Sequence, residues 1–299
     1  METTWRWVSL TAIAPIAWGS TYLVTAHLLP ADQPLWGAAF RALPAAMILL
    51  LVVRRLPRGH WWWRSFVLGT LTVGGFFVLV FQAAQLLPSG LAATIMATSA
   101  GVLLLLAWPL LGERPSLLTV GGATLGMVGV VVLIGVSPTR VEPLGVLASI
   151  GAMLMSSLGF VLTKRWTRTA SDAPDPTTMA GWQLAAGAIV LVPAALLAEG
   201  LPHPFTPASL AGFGYVTVVA TALAYVAWFT GLRHLPAGTV GTIGLLNPVT
   251  GVAIGALVAG EVFGGAQAGA TILVLGGILL SGRAGRRRPA EVVSPRAGG

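Results

Sequence analysis

The chain has 299 residues, 56% of them hydrophobic and only 9% charged, with a net charge of +8. Soluble domains carry about a quarter charged residues, so this much apolar sequence calls for lipid as its solvent. Cysteine is absent, which excludes a disulfide framework and a thiolate metal site. The basic residues are scattered in short breaks between apolar runs, which argues against nucleic acid as a partner.

A bilayer crossing needs about 20 apolar residues. Ten such windows follow one another: 7–28, 34–53, 65–86, 89–111, 116–136, 144–163, 177–198, 208–232, 237–259 and 265–282. The first lacks an Ala-x-Ala cleavage site and is followed by many similar runs, so it reads as a retained helix, not a signal peptide. Barrel strands would alternate polar and apolar residues, and no such alternation occurs. The expected fold class is therefore an all-α membrane protein with ten transmembrane helices.

Orientation follows from Lys and Arg. With the N-terminus inside, all but two of the 17 basic residues fall on the inner side. The exceptions are Arg140, outside, and Arg41, within the second window. Both termini are expected in the cytoplasm, with residues 283–299 as a disordered tail drawn to anionic membrane lipid.

The fourth and ninth windows repeat each other. A shift of 148 residues lays Pro88 on Pro236, Gly90 on Gly238, Thr94 on Thr242, Gly112 on Gly260 and Glu113 on Glu261. With smaller shifts, Pro34-x6-Arg41 lies over Pro176-x6-Gln183, and Tyr22-x2-Thr25 over Phe160-x2-Thr163. Each copy belongs to five windows, in repeats 1–136 and 137–282. Five is odd, so the second repeat enters the membrane from the opposite side. Inverted repeats of this kind are common in secondary transporters, whose sites lie near the midplane between the halves.

These residues resemble the EamA family of the drug/metabolite transporter superfamily. The first window carries Trp18-Gly19-Ser20-Thr21-Tyr22, similar to that family's Trp-Gly-Ser-x-aromatic opening. Arg41, Ala224-Tyr225-x2-Trp228, Asn247-Pro248 and the Gly-Glu pairs 112–113 and 260–261 complete the likeness. There are departures: Ser99-Ala100 stands where the family commonly has a proline, and Ala42 where an aromatic residue is frequent. The resemblance implies a central cavity, no bound cofactor, and carriage of amino acids or other small metabolites, often outward. It implies a multi-pass protein of the bacterial inner membrane, as monomer or homodimer.

The residues themselves nominate candidates. Arg41 is the one charge well inside a window. Its two readings are a counter-charge for an anionic substrate group and a structural bond to helix carbonyls. Pro248, next to Asn247, withholds a backbone donor and frees a carbonyl of the preceding turn; Ser99 is the counterpart of Asn247 in the fourth window, with Thr98 beside it. Trp18, Tyr22, Phe77, Tyr225 and Trp228 lie too deep for interfacial anchoring alone and offer either a substrate clamp or packing. Ser20, Thr21, Gln82 and Ser156 offer hydrogen bonds, or polar contacts between helices. Glu113 and Glu261, at helix ends, are candidate gates. Trp61-Trp62-Trp63 beside Arg58 and Arg64 reads as an aromatic belt, and Gly122-x3-Gly126 and Gly265-x3-Gly269 as close helix contacts.

No Asp or Glu lies inside a window, which disfavours a carboxylate proton relay. The four histidines sit at boundaries or in loops, without metal-ligand spacing. No Walker A, His-Glu-x-x-His or Gly-x-Ser-x-Gly motif is present. The reading is a carrier, not an enzyme, that exports a small organic metabolite by alternating access. The rivals are a drug or toxicant efflux carrier and, from another class, an intramembrane acyl- or glycosyltransferase.

Overall fold

Proline starts helices in this chain. Pro34, Pro143, Pro176 and Pro207 each sit in the first turn of a helix, where a missing N–H costs nothing and the fixed φ is already helical. In the computed structural model, which describes residues 2–30, 32–86, 95–134, 142–258 and 265–284, every regular element among the described residues is helical.

In chain order the helices are α1 (Glu2–Leu28), α2 (Pro34–Val53), α3 (Trp61–Gly69), α4 (Gly75–Leu86), α5 (Ser99–Leu111), α6 (Leu117–Ile134) and α7 (Pro143–Thr169). There follow α8 (Pro176–Glu199), α9 (Pro207–Thr217), α10 (Ala224–His234), α11 (Ala237–Gly244), α12 (Leu246–Val258) and α13 (Gly265–Ala284). Thr70–Gly74 joins α3 to α4 as a π-helical turn, and Val218–Leu223 joins α9 to α10 in the same way. Among the described residues, five helical stretches are long and apolar enough to cross a bilayer: Pro34–Val53, Trp61–Val80, Pro143–Thr169, Pro176–Glu199 and Pro207–His234. Shorter apolar helices cover Ile95–Leu111, Leu117–Val132 and Ala268–Ser281. This is a multi-pass membrane protein.

The most extensive packing joins α6 to α13 and α2 to α8, followed by α4 with α7, α1 with α10 and α12, and α5 with α7 and α11. Backbones approach closely at glycine. A Cβ on Gly122 would fall 2.5 Å from the Gly277 carbonyl oxygen, so α6 and α13 touch main chain to main chain. Gly265 and Gly269 differ from the expected contact: a Cβ on either meets nothing within 4 Å.

Several contacts gather the basic residues at one end of the bundle. Trp7, beside Arg6, stacks on His234 with ring centroids 3.7 Å apart. The Trp182 indole donates to the Arg55 carbonyl at 2.8 Å, and Arg64 lies 5.4 Å from the Trp166 ring. At the opposite end, Glu199 accepts from the Leu35 and Trp36 amides at 2.7 and 2.9 Å and so caps α2.

The triple tryptophan is not a uniform belt. Trp62 and Trp63 are 58% and 52% exposed, but Trp61 is 1% exposed and packs near Trp182. Consecutive helical residues point about 100° apart, so three in a row cannot share one face.

Candidate functional site

A π-helical turn sets one residue out of the helical ladder and leaves a carbonyl for an outside donor. Both such turns here are used in that way. The Thr72 carbonyl accepts the Tyr225 hydroxyl at 2.8 Å. The Ala220 carbonyl accepts the Trp18 indole N–H at 3.1 Å and Arg41 Nη2 at 3.2 Å. Thr72 and Ala220 are 148 residues apart, the same shift that superimposes the sequence repeat.

The side chains that hold these turns also correspond. Arg41 Nε donates to Thr221 Oγ1 at 3.0 Å. Gln183, which the sequence alignment laid over Arg41, accepts from Thr72 Oγ1 at 2.8 Å and donates to Thr163 Oγ1 at 3.0 Å. Phe77 and Tyr225 stand at the same shift. The Arg41 guanidinium carbon lies 4.7 Å from the Phe77 ring centroid, a cation–π contact.

Trp18, Arg41, Phe77, Tyr225 and Trp228 therefore come together around the π-turns. Trp18 lies 5.1 Å from Trp228 and 6.0 Å from Tyr225, centroid to centroid, and Phe160 lies 5.4 Å from Trp228. The Trp228 indole nitrogen is buried without a hydrogen-bond acceptor, which leaves a strong donor inside an aromatic wall. Two residues along α1, Ser20 Oγ meets the Tyr215 hydroxyl at 2.5 Å. Thr21 Oγ1 donates back to the Ala17 carbonyl at 3.0 Å, within its own helix.

Other candidates stand apart. Gln82 is exposed on α4. Ser156 is buried and donates to Met153 of its own helix at 3.1 Å. The side chain of Tyr22 lies outside the described residues, as do Glu261 and Pro88-Ser89-Gly90.

The helix of the fourth window breaks although it lacks the proline. Residues 95–97 are helical, Thr98 is a turn, and α5 resumes at Ser99. The Thr98 amide and hydroxyl both donate to the Ile95 carbonyl, at 3.1 and 2.6 Å. The ninth window breaks at Leu245, between α11 and α12, just before Asn247-Pro248. Threonine thus achieves by a tight back-bond what proline achieves by withholding a donor. Gly19 packs against this second break: a Cβ there would fall 2.5 Å from the Asn247 carbonyl oxygen and 2.6 Å from Thr250 Cβ.

Glu113 sits at the basic end in a cluster that the sequence reading missed. Its Oε1 pairs with Lys164 Nζ at 2.7 Å and lies 3.5 Å from Arg168 Nη1. Its Oε2 accepts the Ala237 amide, at the start of α11, at 2.8 Å. Lys164 also donates to the Leu235 carbonyl. The apolar window of this helix stops at 163, but α7 continues to Thr169 and Lys164 is only 6% exposed. A signal was available: this is the one lysine in a chain whose other basic residues are all arginine. Its compact ammonium, with three donors, serves the Glu113 carboxylate and the Leu235 carbonyl at once.

The profile of the EamA-like transporter family matches residues 5–135 and 143–283. Protein PecM of Dickeya dadantii is 37% identical over 267 residues, 89% of each chain. A probable amino-acid metabolite efflux pump of Salmonella typhimurium is 26% identical over 91% of this chain and 93% of its own. The uncharacterized inner membrane transporter YedA of Escherichia coli is 28% identical over 82% and 80%. One crystal structure superimposes with a TM-score of 0.79 at 22% identity, covering 94% of this chain and 99% of the other, and so shares its fold.

Proposed function

This chain belongs to the EamA-like transporter family, and on that premise we propose that it exports a small organic metabolite, an amino acid or similar, by alternating access. The family is one of transporters, and two of the named relatives carry an efflux-pump or transporter name. The carrier has ten membrane-crossing helices in two inverted repeats, 1–136 and 137–282, and lies in the inner membrane with both termini cytoplasmic. The packing scheme supports two equivalent repeats: exchanging the halves turns α4–α7 into α10–α1, α5–α7 into α11/α12–α1, and leaves α2–α8 and α6–α13 unchanged.

The observation that carries the reading is the convergence on the two π-turns of Trp18, Arg41, Phe77, Tyr225 and Trp228, drawn from both halves. Such a site offers a cation for a carboxylate, a buried indole donor and aromatic faces for an apolar side chain. The helix broken at Leu245 runs beside it, since a Cβ on Gly244 would fall 3.3 Å from the Trp228 ring, and freed backbone groups at membrane depth are tolerated where they line a cavity or meet protein. The two halves rock about this region. The Glu113–Lys164 pair, tying the end of α5 to α7 and to the start of α11, is the gate at the basic end.

The aromatic wall also favours a second reading, a broad drug or toxicant efflux carrier, which predicts poor discrimination among apolar cations and neutral compounds. Flux into inside-out vesicles, run against an amino-acid and metabolite panel and a panel of such toxicants, separates the two. The expected result is saturable uptake of a carboxylate-bearing metabolite, with Arg41→Gln raising its KM at unchanged protein level. Absence of saturable flux for any compound overturns the carrier reading, and flux indifferent to Arg41→Gln removes the arginine from the substrate site.

A further inference from the structure

The basic end holds a cleft that the carrier reading does not use. Lys164, Thr167 and Arg168 of α7, Pro174 of the following loop and Arg233 of α10 bound about 240 Å³ of space. An adjoining hollow that shares Lys164, Thr167, Pro174 and Arg233 is lined also by Met179, Phe229 and Leu232. Three cations face this cleft. The acid among their contacts is Glu113, which holds Lys164 at 2.7 Å and Arg168 at 3.5 Å. Asp172 and Asp175, in the same loop, are engaged elsewhere, with His60 at 3.6 Å and with the Thr177 and Thr178 amides at 3.0 and 3.1 Å.

We propose that this cleft is a phosphate-binding site whose occupant competes with Glu113 for Lys164 and Arg168. Guanidinium and ammonium donors converging from two helices suit a tetrahedral oxyanion. Basic pockets between spans at headgroup level take up the phosphate of anionic lipids, and a soluble phosphate group presents the same chemistry. An anion seated among Lys164, Arg168 and Arg233 replaces the carboxylate as their partner. It thereby frees Glu113 from α7 and weakens its hold on the Ala237 amide. The binding itself rests on the cleft alone; its effect on opening rests on the gate assigned to Glu113 above.

The test uses the full chain in nanodiscs, with its thermal midpoint read from tryptophan fluorescence. In phosphatidylcholine discs, inorganic phosphate is titrated against chloride at matched ionic strength. A saturable rise in midpoint is expected, with the half-saturating concentration raised about tenfold in Arg233→Gln, a loss of about 1.4 kcal/mol. Removing the competitor with Glu113→Gln lowers that concentration several-fold. Arg168→Gln raises it, and serves if Glu113→Gln does not fold. In phosphatidylglycerol discs, a midpoint already high and indifferent to added phosphate identifies the lipid headgroup as the occupant; an unchanged phosphate response identifies a soluble one. The proposal is overturned if neither phosphate nor phosphatidylglycerol shifts the midpoint, or if Arg233→Gln leaves the shift intact. None of these readings depends on transport, so saturable flux beside a silent cleft leaves the carrier standing and removes only this site.

Discussion

Tyr225 donates its hydroxyl to the Thr72 carbonyl at 2.8 Å, joining α10 to the π-turn between α3 and α4. Thr72 is the counterpart of Ala220, whose own carbonyl takes Trp18 and Arg41. Each π-turn is therefore pinned by a side chain from a different helix, and the two pins cross between the proposed repeats. Tyr225→Phe leaves the Thr72 carbonyl without this donor at a cost of about 1–3 kcal/mol. The expected outcome is a lower thermal midpoint together with slower flux. A variant that loses neither would mean that the bond holds nothing.

The Glu113–Lys164 pair is buried on the lysine side, at 6% exposure against 19% for the glutamate. Removing one partner strands the other charge, at a cost of about 3–5 kcal/mol. Lys164→Gln and Glu113→Gln are each expected to destabilise the chain strongly, and the double variant by less than the sum. Lys164→Arg is expected not to restore stability, because the fork does not fit a site shared by one carboxylate oxygen and the Leu235 carbonyl. Denaturation of the four variants in detergent supplies the cycle; additive losses would show that the pair is not coupled.

Gly19 and Gly265 make opposite predictions for the same substitution. Gly19→Ala drives a methyl against the Asn247 carbonyl and Thr250, both on α12, and overpacking of this kind costs about 1–3 kcal/mol. Gly265→Ala meets open space and is expected to be neutral or to stabilise by about 0.4–1 kcal/mol through a stiffer unfolded chain. Thermal midpoints of the two variants decide it, and equal effects would contradict the packing of α1 on α12.

Asp175 caps α8, accepting from the Thr177 and Thr178 amides at 3.0 and 3.1 Å and from the Thr178 hydroxyl at 2.6 Å. Partial burial works to raise its pKa, but these hydrogen bonds outweigh it and hold the carboxyl below the usual range. The charged form is thus favoured in the folded state. The added stability is fully present above the ordinary carboxylate pKa of about 3.9 and is lost as pH falls through the lowered folded value. Asp175→Ala should cost about 1 kcal/mol at neutral pH. The gap between wild type and variant should shrink below about pH 4, and a gap constant from pH 7 to pH 2 would rule out this account.

Much of the molecule was legible before its structure. All-helical architecture follows from apolar window length, and the offset that lays Arg41 over Gln183 from spacing. Trp18, Arg41, Tyr225 and Trp228 were named from the sequence, and they do meet. The π-turns were not legible, because Thr70–Gly74 and Val218–Leu223 have ordinary apolar compositions and the extra residue is accommodated by neighbours. The break at Thr98 was missed for a related reason: proline announces a lost donor in sequence, whereas a threonine back-bond exists only once the turn has formed.

The amino-acid sequence by itself determined the solvent, the helical class and the repeated motifs, because each depends on composition or on spacing along one chain. Only the tertiary structure decided that Trp61 is buried while its neighbours are exposed, that Lys164 leaves the basic surface for Glu113, and that Thr72 and Ala220 offer their carbonyls to other helices. Those outcomes depend on which helix stands opposite. In lipid, where apolar surface alone chooses no partner, that choice falls to close packing and to the few polar groups that must be satisfied inside the protein.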